Sequence, residues 1–186
     1  CREMPALRGR FYTLMVAGNE AKKEMHMIFV TRKGVRLDRA ACAWLIQRHI
    51  APDAEIRYLE AEDLPQAVEG GAKVFHNTIS EEQTARERTS FQELLAEYRL
   101  DERDEGLALM GDIVRGAETK EPGSIEEAEG LRAIAKGMNA LAGSDEEMVE
   151  RMLPVFDALY AYCLRRVQGH RDWANADAGW GERQEA

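Results

Sequence analysis

The chain has 186 residues, 45% hydrophobic and 32% charged, with a formal net charge of −9, which suits one domain with a buried core. That acidity argues against direct binding of nucleic acid or an anionic membrane, although a local basic pocket would still select small anions while the global field repels polyanions. No apolar run reaches the roughly twenty residues that cross a bilayer, and Cys1, Cys42 and Cys163 make neither a disulfide framework nor a CxxC zinc pattern, which fits a reducing cytoplasm.

Residues 1–24 are weakly patterned and lack the order of a signal peptide. They read as an extension before a single domain over 25–168, with a loosely ordered tail over 169–186 containing Trp173 and Trp180. Ile28 to Thr31 is an apolar, partly β-branched run suited to one buried strand. Arg32, Lys33, Gly34 and Arg36 form a basic turn. Asp38 is the candidate N-cap of a helix from Arg39 to His49 that Pro52 stops. At about 100° per residue, Asp38, Cys42, Leu45, Ile46 and His49 share one face, with Arg39 at its margin.

Glu55 to Glu60 reads as a second strand, Asp63 to Val68 as a short helix ended by Gly70 and Gly71, and Lys73 to His76 as a third strand. Strands alternating with helices predict a small, mostly parallel three-stranded sheet. Residues 77–88 are polar and read as a loop or frayed helix. Ser90 with Glu93 matches a capping box ahead of a helix over Phe91 to Tyr98. Helical spacing then marks segments around Leu107 to Ala117, Ile125 to Leu141 and Met148 to Cys163, with Ser124 and Ser144 as caps and Pro154 as a kink. The fold class is therefore α/β, mixed with α+β: a small sheet followed by a helical half.

A strand that passes to a helix through a cationic turn is a place where free N–H groups and the helix dipole favour an anion. Arg115, in Ile113-Val-Arg-Gly-Ala-Glu-Thr119, can hold an oxyanion bidentately or make an ordinary surface pair. His76, at the expected end of the third strand, is a candidate metal ligand or proton carrier with Glu118 or Asp38 as oxygen partner. Cys42 is reactive if its thiolate lies near Arg39 and the helix N-terminus, and inert if it points into the core.

Arg32, the run from Asp38 to Ile50 and the run from Ile113 to Thr119 together resemble the C-terminal domain of the ChrB chromate-resistance family. Val155 to Cys163 is similar to that family's closing helix. Asp38, Arg39, Cys42, Trp44 and Arg48 match the family's helix pattern. Thr84 and Thr89 stand where the family has His and Cys, and Glu118 replaces an Asp, so the chain departs from the family in the residues of a metal or redox role. The resemblance implies a part in chromate resistance, with a separate N-terminal domain in full-length relatives.

The reading that follows is a cytoplasmic domain that binds or senses a small oxyanion, chromate or sulfate. Arg32, Arg39, Arg48 and Arg115 are its anion ligands, Asp38 the orienting group and Cys42 the redox group. Two alternatives stand beside it: a metal- or thiol-dependent, reductase-like enzyme using His76, Glu118, Asp38 or Cys42, and a structural or interaction module without a ligand. A divalent metal and a homodimer stay open.

Overall fold

The computed structural model describes residues 27–75, 88–119 and 125–169. Its elements are β1 (Ile28–Arg32), α1 (Leu37–Leu45), β2 (Glu55–Leu59), α2 (Leu64–Glu69), β3 (Lys73–Val74), α3 (Ser90–Glu97), α4 (Glu105–Thr119), α5 (Glu126–Leu141) and α6 (Asp145–Val167). The sheet order is β2-β1-β3, and both pairings are parallel. β1 is central, in register with β2 from Ile28 opposite Glu55 to Arg32 opposite Leu59. This is the mixed α/β arrangement that the order of elements predicts. The expected extension over 1–24, the tail with Trp173 and Trp180, the polar stretch over 77–87 and the Ser124 cap lie outside the described residues.

α1 is the hub of the helical half. It packs against α3, α4 and α6, and all nine of its residues are buried. Ala40, Ala41 and Ala43 let neighbouring helices come close, while Trp44, Leu45 and Phe156 fill the larger gaps. Because the helix is covered on every side, two charged residues, Asp38 and Arg39, are taken inside at 7% exposure each. A buried charge is tolerable only with partners. Where those partners lie determines the architecture of the candidate site.

Several boundaries differ from the sequence expectation, each for a tertiary reason. α1 starts at Leu37, with Arg36 in the N-cap position and no side-chain capping bond. Asp38 does not cap its own helix. Its carboxylate instead accepts from the N–H groups of Ser90 (3.1 Å) and Phe91 (3.0 Å), capping α3 from across the core. Thr89, not Ser90, is the N-cap of α3, with Gln92 completing the capping box. Both overlapping registers fit the local pattern; Asp38 takes the first two free amides and leaves the third to the Thr89 hydroxyl. The end of α1 widens into a π-turn over Ile46–Ile50, closed by a bond from the Ala51 N–H to the Ile46 carbonyl of 2.8 Å. The Ser144 cap of α6 is as the sequence predicts, its hydroxyl accepting from the Glu147 N–H. Pro154 lies inside α6 at an exposed position, where it cannot donate to the carbonyl four residues back.

Candidate functional site

The turn between β1 and α1 is held on two sides. Gly34 adopts a φ of +81°, a left-handed conformation that glycine reaches without the Cβ penalty of other residues. The Gly34 and Val35 N–H groups point at the Asp145 carboxylate, at 2.9 and 2.6 Å. These are the amides that the strand-to-helix junction was expected to offer an anion. The protein's own carboxylate, from the first turn of α6, already occupies them. On the other side, the Arg39 guanidinium donates to the carbonyls of Arg32 (2.5 Å), Lys33 (3.3 Å) and Gly34. Burial, with the Arg32 charge beside it, pulls the Arg39 pKa down from its ordinary value. Arg39 is thus the clamp of the turn more than a free anion ligand.

Above this clamp lies a concavity of about 400 Å³, lined by Arg32, Lys33, Gly34, Arg36, Asp38, Arg39 and Glu118. Four of the residues named from sequence, Arg32, Asp38, Arg39 and Glu118, come together here although Glu118 is about eighty positions away in the chain. Four cations face two carboxylates. Lys33 pairs with Glu60 at 2.8 Å, in an exposed contact. The side chains of Arg32 and Arg36 are exposed and make no hydrogen bond or ion pair among the described residues. Glu118 sits on the wall, open to water yet surrounded by protein on most sides. Burial first, and then the Asp38 charge, push its carboxyl above the ordinary value, while Arg36, Arg39 and Arg132 oppose the shift.

The remaining expected residues are placed elsewhere. Arg48 lies on the π-turn and forms a bidentate pair with Asp157, both contacts at 3.0 Å. The same carboxylate accepts from the Trp44 indole N–H at 2.7 Å, so Arg48 helps to fasten α6 to α1. Cys42 is completely buried in the core, and burial raises its thiol well above the ordinary value. That corrects its expected position beside an oxidising anion. Cys163 is also buried, and burial pushes its thiol up to about 12. Arg115, half-buried on α4, is not among the residues lining the concavity. His76 lies outside the described residues. Among the described residues, no group of three or more His, Cys, Asp or Glu side chains is placed to hold a metal ion.

Sequence reasoning left out two residues that shape the site. Arg36 was visible in the basic turn; its position next to the helix start was the available signal. Asp145 gave no signal, since it acts through a contact across 110 positions.

Among the described residues no helix is long and apolar enough to cross a membrane. A sequence profile of the ChrB C-terminal domain matches residues 29–163. Protein ChrB of Cupriavidus metallidurans is 31% identical over 156 residues, which is 79% of this chain and 45% of that protein. The chain thus spans less than half the length of this curated relative. No solved structure matches the chain significantly.

Proposed function

The chain belongs to the ChrB C-terminal domain family, and from that premise we propose that it serves chromate resistance as a cytoplasmic domain that binds or senses a small tetrahedral oxyanion of the chromate or sulfate kind. The observation that carries this reading is a pair of exposed guanidiniums, Arg32 and Arg36, that make no hydrogen bond or ion pair among the described residues and line a cation-rich concavity in a chain of net charge −9. Arginine's planar fork suits bidentate contact with such an oxyanion. The surrounding negative field disfavours polyanions, so a small anion is the better guest. Arg39 acts as a positioning residue, since its hydrogen bonds fix the turn from which Arg32 and Arg36 project, while Asp38 caps α3 beside them. Cys42 has no redox part in this reading, because neither exposure nor a lowered pKa supports one. Titration calorimetry with sulfate and chromate tests it. Wild-type protein should bind, and Arg32→Ala and Arg36→Ala should each weaken binding without changing the circular dichroism spectrum. No heat at millimolar ligand refutes it.

One observation favours a second reading, an interaction module without a ligand. Asp38, Arg39 and Asp145 all direct their charge to backbone groups of the protein itself. In that case Arg39→Ala would destabilise the domain by about 2–4 kcal/mol, through stranded carbonyls and a lost charged donor, and Arg32→Ala would change nothing measurable.

A further inference from the structure

A second concavity, of about 350 Å³, adjoins the first, and Arg36 and Glu118 line both. Its walls differ in kind. Leu37, Ala117, Ala135 and Met148, core residues at most 5% exposed, show their outer edges as an apolar floor next to Lys136 and Asn139. Arg132 is also on its rim, but its guanidinium is occupied by the Gly116 and Ala117 carbonyls, at 2.6 and 2.7 Å, where it closes the last turn of α4. Lys136 is exposed and makes no hydrogen bond or ion pair among the described residues.

We infer that the two concavities are one cleft, and that it takes a small organic anion whose charged group sits at Arg32 and Arg36 and whose apolar body lies over Leu37, Ala117, Ala135 and Met148. This rests on the oxyanion reading of the first concavity and extends it. A bare tetrahedral ion has no use for the apolar wall. Each half is already within the range of about 300–1,000 Å³ usual for small-molecule sites, so the pair offers far more room than one inorganic ion fills. Arg36 lines both concavities, and a guanidinium on a methylene stem suits a place between a charged end and an apolar one. Lys136 adds positive charge on the second side. Glu118, also at the junction, disfavours a second anionic group there and favours a hydroxyl or N–H on the guest between head and body.

The test uses the full chain and four probes: sulfate, chromate, methanesulfonate and hexanesulfonate. The two sulfonates share one charged group and differ only in the alkyl chain. Hexanesulfonate should bind at least about tenfold more tightly than methanesulfonate, given the apolar surface it would bury. Asn139 is exposed and lines the second concavity, so Asn139→Trp should fill that half without disturbing the core. In this variant the alkyl advantage should vanish while sulfate and chromate binding stays as in wild type. Equal affinities for the two sulfonates, with sulfate bound normally, overturn this inference and leave the oxyanion reading standing. Hexanesulfonate binding that survives Arg32→Ala and Arg36→Ala also overturns it, as adsorption to apolar surface alone. Failure of sulfate and chromate to bind at all removes the oxyanion reading, and the charged end of the cleft with it.

Discussion

Replacing Asp157 by Ala separates the structural role of Arg48 from the ligand role its sequence context suggests. Asp157 accepts three hydrogen bonds, two from Arg48 and one from the Trp44 indole. The Arg48–Asp157 pair is about half exposed, at 43% and 45% of side-chain surface, and solvent-exposed pairs are worth only about 0–1 kcal/mol. Trp44 is different: it is 1% exposed, and its N–H would lose its partner inside the protein. A stranded buried donor costs about 1–3 kcal/mol. The sum is about 1–4 kcal/mol, or a fall in Tm of about 2–16 °C for a chain of this size. Urea unfolding followed by circular dichroism measures it, alongside Arg48→Ala and Trp44→Phe. Arg48→Ala should cost no more than about 1 kcal/mol. In the double variant Asp157→Ala with Trp44→Phe, the loss should be clearly less than the sum of the single ones. None of the three should alter sulfate affinity. An Arg48→Ala loss equal to that of Asp157→Ala would refute the reasoning, because the exposed ion pair would then carry the energy. A loss of sulfate binding in Arg48→Ala would refute the assignment of Arg48 to the α1–α6 junction.

Other outcomes follow from the same geometry. Glu118 has a raised pKa, so it takes up a proton more readily than an ordinary glutamate, and binding an anion beside it raises the pKa further. Sulfate binding should therefore tighten as pH falls through this raised value and be accompanied by proton uptake, seen in calorimetry in buffers of different ionisation enthalpy; Glu118→Gln should bind more tightly at neutral pH and lose the dependence. Asp145→Asn keeps one acceptor for the Gly34 and Val35 amides but removes the charge, and should lower stability by about 1–3 kcal/mol in urea unfolding. Cys42 should resist a thiol reagent in the folded protein and react on unfolding, because burial both hides it and keeps it protonated; rapid native-state reaction at Cys42 would contradict its placement.

The parts of the fold that were legible in the sequence are those set by local chemistry. The Ser144 cap of α6 was legible because the serine and the first helical turn lie within four residues of each other. The β1-to-α1 succession was legible because an apolar run changes period at a glycine turn. The α3 cap was half legible: Thr89 and Ser90 both fit the pattern, and only Asp38, about fifty positions earlier, decides between them. For the candidate site, the residues of the basic turn line the concavity, but which of the motif's arginines stay exposed was not decided locally. Arg39 and Arg48 match the motif as well as Arg32 does, yet both are drawn to partners within the protein. The face of α1 that carries Cys42 could be read as exposed or buried, and the packing of α3, α4 and α6 around it settles the matter.

The sequence alone determined the order of strands and helices and the parallel sheet, because backbone propensity and hydrophobic period are properties of short stretches, and its motifs determined the family. Only the tertiary structure decided which of the motif's charges stay exposed and which are taken up inside the protein. That choice depends on which carboxylates and carbonyls reach each guanidinium first, and Asp145 and Asp157, more than a hundred positions from the residues they hold, come into reach only when α6 packs onto the β1–α1 unit.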